Sequence, residues 1–106
     1  NGKTDVFALT TTETNLVTAT ANTVFKINSI MVSNIDGSNA ADVTIKYNDG
    51  SNDRAIASTI SVPADATLNV VDKNSSFYLE ETEIIKGTAS ANSDLECLIS
   101  YEIISD

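Results

Sequence analysis

The sequence predicts an all-β fold, an antiparallel β-sandwich or jelly-roll-like domain of about seven to nine strands. Short runs rich in Val, Ile and Thr alternate between apolar and polar residues with period two, and Asn, Asp, Gly and Ser separate them. No window shows the 3.6-residue apolar period that a helix requires. Two sheets built from such strands must bury their apolar faces against each other, which favours a sandwich.

Nine runs of the chain fit this description. They are DVFALTTT, NLVTAT, TVFKINSIMVSN, DVTIKY, AIASTISV, ATLNVV, SFYLE, EIIKGTAS and DLECLISYEII. The length of 106 residues predicts a single domain over residues 1–106. Residues 1–14 are Thr-rich and weakly apolar at their end, so we expect an edge strand there, or an arm that pairs with a neighbouring subunit.

The third run changes the face on which its apolar residues fall. Phe25 and Ile27 occupy odd positions, whereas Ile30 and Val32 occupy even ones. Such a change requires a bulge near residues 28–29, or a strand that crosses from one sheet to the other. Met31 then lies on the face opposite its two neighbours.

The last run shows the clearest alternation and also two exceptions. Its odd positions, 95 to 103, are apolar or aromatic and are predicted to face the core. Leu98 and Ile104 lie instead among the polar residues of the other face. With Met31 they are candidate contact residues, and Phe7 and Leu9 of the N-terminal stretch complete the predicted interface set.

The charge of the chain disfavours two kinds of partner. Fifteen acidic and six basic residues give a net charge of −9. This charge repels the phosphate backbone of nucleic acids and anionic membrane surfaces alike. The longest apolar runs are also far too short to span a bilayer. We therefore expect no direct contact with nucleic acid or membrane.

Cys97 is the only cysteine, so the chain cannot form an internal disulfide. Alternation places it on the inward face of the last run, between Leu95 and Ile99. A buried free thiol behaves as a small apolar side chain, whereas a reactive one needs an accessible, electropositive setting. Core packing is the predicted role.

Two acidic clusters, IDGSNAAD and YNDGSND, raise the question of a cation site. Asp36, Asp42, Asp49 and Asp53 could share a cation only if both loops lie at the same end of the sandwich. The spacing does not match that of a calcium loop, and no Glu follows at the required distance. Asp-Gly pairs favour tight turns, so we interpret both clusters as turns.

The sequence gives no catalytic constellation and no cofactor motif. It contains no His, no nucleophile elbow, no phosphate-binding loop and no dinucleotide fingerprint. Glu80, Glu81 and Glu83 could serve acid–base chemistry only if an enclosed pocket raised the pKa of one of them. The segment EETE is more typical of a solvated turn, and we predict that the protein is not an enzyme.

Residues 22–104 resemble a type of small virion structural protein of tailed phages, often marine ones. The pattern consists of a strand of form I-x-V-x-N, here Ile30 to Asn34, then a V-P-A turn at Val62 to Ala64. A strand ending in Y-L-E follows at Tyr78 to Glu80, and A-S-A-N precedes the last strand at Ala89 to Asn92. One departure is DKNSS before the Y-L-E strand, where similar proteins often have a short Gly- or Pro-containing link.

This resemblance implies a non-enzymatic subunit present in many copies per particle. Within the virion, the acidic surface favours a capsid decoration or cement protein on the outside of the head, bound to the major capsid protein, with a trimer as the expected homo-oligomer. The alternative is a tail, baseplate or fibre accessory domain that binds a host glycan or receptor. A free carbohydrate-binding module is a third hypothesis, disfavoured by the absence of Trp.

Overall fold

The structure, a computed structural model, describes residues 1–105 and confirms the all-β prediction. No helix occurs within those residues, and each strand lies within or closely overlaps one of the nine predicted runs. The strands are β1 (Gly2–Ala8), β2 (Thr14–Thr18), β3 (Thr23–Asn34), β4 (Ala41–Asn48), β5 (Asp53–Val62), β6 (Thr67–Val71), β7 (Phe77–Leu79), β8 (Ile84–Ala89) and β9 (Leu95–Ser105).

The strands form two antiparallel sheets. Sheet A has the order β1-β9-β3-β6, and the short β7 pairs with the first half of β3. Sheet B has the order β2-β8-β4-β5. The pairs β1–β9, β2–β8, β3–β6 and β4–β5 are those of one long double ribbon folded over on itself, which is the arrangement of a jelly roll. Strand β7 is an addition to that plan.

The core lies between the two sheets and follows the predicted alternation. On β9, Leu95, Cys97 and Ile99 are almost completely buried, while Glu96 and Glu102 are exposed. Sheet B contributes Val43, Ile45 and Ile85 to the same core. Burial of each such aliphatic side chain contributes about 1.5–3 kcal/mol, so the alternation fixes which face of each strand turns inward.

The predicted change of face in β3 is a bulge. The register against β9 shifts between Ile27 and Ser29, and the residues on both sides of the shift, Ile27 and Ile30, are fully buried. All of β3 stays in sheet A, so the alternative of a strand that crosses between sheets is wrong. The extra residue keeps both halves of the strand in contact with the core.

The N-terminal residues form an edge strand. Residues 2–8 pair with β9 from Glu102 to Glu96, and the Tyr101 hydroxyl donates a 2.7 Å hydrogen bond to the Asp5 carboxylate. Tyr101 also stacks on Phe25, with ring centroids 5.0 Å apart. Of the two expectations for residues 1–14, the structure therefore has the edge strand for residues 2–8.

Asn34 at the end of β3 connects the two sheets. Its side-chain amide donates to the carbonyl of Val62 at 2.9 Å and to that of Asn39 at 3.0 Å, while its oxygen accepts from the Asp36 amide at 2.8 Å. Asn34 is the only polar side chain buried among residues 1–105, and its hydrogen bonds are satisfied. The I-x-V-x-N strand and the V-P-A turn thus meet at this residue.

Candidate interaction surfaces

The outer face of sheet A carries an apolar row across three strands. Leu98 of β9 lies directly opposite Met31 of β3 on one side and Val6 of β1 on the other. Leu98 and Met31 are partly exposed, and 61% of Val6 is exposed. Adjacent strands are about 4.8 Å apart, so the three side chains form one continuous strip about 10 Å across. We call Val6, Leu98 and Met31 the apolar row.

A second apolar pair lies at the far end of the same face. Ile104, which is 42% exposed, pairs with Val24 of β3. Ile104 lies six positions after Leu98 on β9, a distance of about 20 Å along the strand. Three of the five predicted interface residues, Met31, Leu98 and Ile104, therefore share one solvent-facing surface.

Phe7 and Leu9, the other two predicted interface residues, turn towards the core of their own chain. Phe7 lies opposite Cys97 and packs against the buried cluster. Leu9 is 1% exposed, and its amide donates to the Leu95 carbonyl at 3.0 Å. Phe7 and Leu9 therefore do not belong to the solvent-facing surface, because the pairing of β1 with β9 directs Phe7 inward and the next turn of chain buries Leu9 beside Leu95.

Val6 is the surface residue that the sequence analysis missed. It lies between Asp5 and Phe7, and its large exposure follows from the register that sets it beside Leu98. An isolated exposed Val needs no explanation, but one next to two other exposed apolar side chains forms a patch. Only the pairing of β1 with β9 reveals that adjacency.

The outer face of sheet B is polar apart from Ile84, in contrast to that of sheet A. Lys46 of β4 and Lys86 of β8 lie opposite each other on it. Lys46 pairs with Glu13 at 2.8 Å, and Lys86 pairs with Asp53 at 3.2 Å. Such partly exposed pairs contribute little stability, but their charges suit a surface that stays hydrated. The two sides of the sandwich thus differ in chemistry.

Both acidic clusters form turns whose carboxylates bind their own backbone. Asp36 accepts from the amides of Ser38 at 2.7 Å and Asn39 at 3.2 Å. Asp49 accepts in the same way from Asn52 at 2.8 Å and Ser51 at 3.0 Å. These contacts are Asx turns, as the Asp-Gly pairs indicated. Within residues 1–105 no three acidic or Cys side chains are grouped so as to hold a metal ion.

These hydrogen bonds also lower the pKa of the turn carboxylates. The backbone amides of residues 38 and 39 lower the pKa of Asp36, and those of residues 52 and 51 lower the pKa of Asp49. Asp53 has a lowered pKa because Asn48 and Lys86 hydrogen-bond to it. All three carboxylates are therefore held in the charged form, Asp36 and Asp49 by amides of their own turns and Asp53 by the side chains of Asn48 and Lys86.

The segment EETE is also a turn. The Glu83 amide donates to the Glu80 carbonyl at 2.9 Å, and the Glu83 carboxylate accepts from the Glu80 amide at 2.7 Å. Thr82 has a φ of 73°, and Glu81 accepts from the amide of Asn22 at 2.6 Å. Glu83 thus closes its own turn and Glu81 caps the turn before β3, which agrees with the interpretation of EETE as a turn.

Cys97 is fully buried between the sheets. Burial raises the pKa of its thiol to about 12, which keeps it protonated and unreactive at neutral pH. Core packing, the role predicted from alternation, is confirmed.

An open cleft of about 480 Å³ lies where the two sheets part, between β5 on one side and β6 and β7 on the other. Its apolar lining is Ile56, Val70, Val71 and Phe77. Tyr47, Tyr78, Arg54 and Ser75 supply the polar groups. Three of the six aromatic residues of the chain thus line one cleft. No feature of the linear sequence pointed to this cleft, because its residues come from four separate segments.

No protein-family model matches the chain, and no curated protein matches it significantly. Among residues 1–105 no helix is long and apolar enough to cross a membrane.

Proposed function

We propose that this protein is a non-enzymatic structural subunit of a phage virion, and more specifically a decoration or cement protein on the outer surface of the head. It acts by assembly, through contacts with copies of itself and with the major capsid protein. The observation that carries the proposal is the apolar row on the outer face of sheet A. Exposed apolar side chains that lie next to each other on a sheet face are typical of a contact surface.

Two further features support the proposal. The net charge of −9 is compatible with a position outside a shell packed with DNA and incompatible with direct binding to the DNA itself. The motifs that carry the resemblance to phage virion proteins are structural: Asn34 hydrogen-bonds to Val62, and Leu79 of the Y-L-E strand is fully buried. Repeated sites between capsomers favour cyclic oligomers, and we expect a trimer.

The alternative position is in the tail, baseplate or fibre, where the same fold would act as an accessory domain that contacts a host glycan or receptor. The aromatic residues of the cleft favour this alternative, because aromatic rings provide stacking surfaces for sugars. Copy number separates the two positions. Gel densitometry of purified particles against the major capsid protein gives hundreds of copies for a head protein and few for a tail protein.

The decisive experiment adds purified protein to particles stripped of it and measures occupancy together with resistance to heat and osmotic shock. Saturable binding to heads and a raised rupture threshold are expected. Leu98→Glu should abolish binding because it puts a charge in the apolar row. The matched control is Thr88→Glu, on the polar outer face of sheet B, which should bind normally. Exclusive labelling of tails, or a monomer that never binds particles, would contradict a decoration role.

A further inference from the structure

The two sheets have four edges, and β5 is the least protected of them. Strands β2 and β6 have five residues each and β7 has three, while β1 carries Lys3 and Asp5. Strand β5 has ten residues, and its stretch 55–62, AIASTISV, contains no charge, Gly or Pro. Short length, charge, Pro and bulges are the usual protections of a sheet edge. Over this stretch β5 lacks the first three; Asp53 and Arg54 precede it, and its pairing with β4 is bulged.

The edge of β5 is also open to a partner. Its inner side pairs with β4, and no strand of residues 1–105 pairs with its outer side. The backbone amides and carbonyls on that side are therefore free to pair with an added strand. Ile60 in the same strand is 40% exposed, and Ser58, Thr59 and Ser61 are exposed as well.

The cleft lies directly beside this edge, and two bulges line it. In β5, Ala55 and Ala57 lie opposite consecutive residues of β4, so Ile56 is an extra residue without a register partner. In β6, Val70 is the extra residue for the same reason. Both Ile56 and Val70 line the cleft. A strand added to β5 would thus place alternate side chains over an apolar pocket.

Among the described residues, Arg54 is the one basic side chain that lines the cleft, and the acidic groups Glu83, Asp49 and Glu80 lie near Tyr47 of the same lining. Within the described part of the chain, no acidic group lies within ion-pair distance of its guanidinium. Asp49 is near, but its pKa is lowered first by the amides of Asn52 and Ser51 and only to a lesser degree by Arg54. The Asp49 carboxylate is thus committed to its own turn, and Arg54 can pair with a carboxylate of a ligand.

Thr59 limits the length of β5 with which a partner strand can pair. Its φ is 51°, and its amide turns back to donate to the Thr44 hydroxyl at 3.0 Å. This kink interrupts the straight edge after Ala57. The part before this kink, Asp53–Ala57, contains the bulge at Ile56 and accommodates a strand of about five residues, so a long symmetric pairing of two β5 strands is disfavoured.

We propose that the free edge of β5 and the adjoining cleft bind an extended segment of a partner protein by β-strand addition along Asp53–Ala57. The segment is about five residues long, with one apolar side chain in the cleft and one carboxylate on Arg54. Aromatic residues and Arg are enriched in the centres of protein interfaces, which matches the lining of the cleft. This inference does not depend on the virion assignment.

The test is a ¹⁵N NMR titration of the protein with the blocked pentapeptide acetyl-Thr-Ile-Thr-Glu-Thr-amide in 150 mM salt. Ile and Glu are two residues apart and so face the same side of a strand. We expect saturable shifts of amides in residues 53–57 and 70–78, with a Kd of about 1 mM.

Arg54→Gln should weaken binding of this peptide about tenfold and leave unchanged the binding of a version with Gln in place of Glu. Lys3→Gln removes one positive charge in the same way, but on edge strand β1 of sheet A, and is the matched control.

Backbone pairing is tested with two N-methylated peptides, one modified at Ile and one at the following Thr. Successive amides of a strand point to opposite edges, so at least one of these peptides should fail to bind. Equal binding of both modified peptides would overturn strand addition. Shifts confined to the outer face of sheet A, or no saturable shift up to about 10 mM peptide, would overturn the site itself.

Discussion

At the scale of single residues, Asn34 shows the structural role of a polar residue at the end of an apolar strand. It makes three hydrogen bonds across the end of the sandwich, two of them from its side-chain amide to carbonyls of other segments. A buried polar group that loses its partner costs about 1–3 kcal/mol. The motif that suggested a family therefore has a structural cause, the closure of one end of the sandwich.

Asn34→Ala is predicted to lower the free energy of unfolding by about 1–3 kcal/mol, because it leaves the Val62 carbonyl and the Asp36 amide without their partner. Urea unfolding followed by circular dichroism measures the change. Asn69→Ala is the control, since Asn69 is exposed on the outer face of sheet A, and it should change stability by less than about 0.5 kcal/mol. Equal effects of both substitutions would contradict the role of Asn34.

The facing of β9 predicts a large contrast between neighbouring substitutions. Ile99→Asp puts a charge at a fully buried position and should cost more than about 4 kcal/mol, enough to unfold many small domains. Glu96→Gln and Glu102→Gln alter exposed side chains and should be nearly silent. A urea series that ranked these three variants in the reverse order would show the opposite facing.

Because the Cys97 thiol and the Tyr101 phenol are buried, we predict that the protein loses stability at alkaline pH. Burial raises the pKa of Cys97 from 9.0, and burial followed by the Asp5 hydrogen bond raises that of Tyr101 from 10.0, both to about 12. Between these values the unfolded chain releases protons that the folded chain retains. The stabilisation is therefore complete below pH 9 and declines as pH rises towards 12.

Each of these groups contributes a slope of about 1.4 kcal/mol per pH unit within its own window. Urea unfolding at intervals from pH 8 to pH 11 measures the total. Cys97→Ala should flatten the curve from pH 9 upwards, and Tyr101→Phe should flatten it only above pH 10. A stability that increases across this range would contradict the burial of both groups.

At the scale of elements, strand β8 depends on the absence of a side chain at Gly87. A Cβ at this position would lie 2.8 Å from Leu16 Cδ1 and 3.2 Å from Leu9 Cδ2, so the glycine lets β2 and the segment that precedes it pack closely. Gly in a strand interior often marks such a close approach.

Gly87→Val is predicted to lower the free energy of unfolding by about 1–3 kcal/mol, because the added methyl groups overpack the core beside Leu9. Thermal unfolding with calorimetry gives the value. Gly2→Val is the matched control, since no atom lies within 4 Å of a Cβ built there. If the two variants were equally stable, the core near β8 would have room that the structure does not show.

Strands β3 and β9 determine the character of sheet A. They are the two longest strands of residues 1–105, with 12 and 11 residues, and they lie next to each other in the centre of the sheet. Their inner faces build the core, and their outer faces contribute Met31 and Leu98 to the apolar row. One pair of strands thus supports both folding and the proposed assembly.

At the scale of the whole molecule, the net charge and the apolar row have opposite effects on self-association. A net charge of −9 makes copies of the protein repel one another at long range, whereas the apolar row favours contact once copies meet. Salt screens the repulsion, with a Debye length that falls from about 30 Å at 0.01 M to about 10 Å at 0.1 M.

Self-association is therefore predicted to strengthen as salt rises from 10 mM to 500 mM, as sedimentation velocity over a range of protein concentrations can measure. Leu98→Glu should abolish it at every salt concentration, and Thr88→Glu should lower it only in low salt, where the extra charge matters. Association that weakened with added salt would point to ionic contacts in place of the apolar row.

The sequence by itself determined the architecture and part of the candidate surface. Period-two alternation is a local property, so it was sufficient to locate nine strands, the change of face near residues 28–29 and the inward face of β9, while the structure showed that the change of face is a bulge. It was also sufficient to identify Met31, Leu98 and Ile104, because an apolar residue on a polar face stands out within its own strand.

Only the tertiary structure decided which of those residues meet, and on which side of the molecule. The orientation of Phe7 and Leu9, and the adjacency of Val6 to Leu98, depend on the pairing of the first strand with the last, which no local pattern specifies. The cleft also depends on long-range pairing, because β4, β5, β6 and β7 come together there and two bulges place Ile56 and Val70 in its lining. Alternation fixes the faces of a strand, whereas long-range pairing fixes its neighbours.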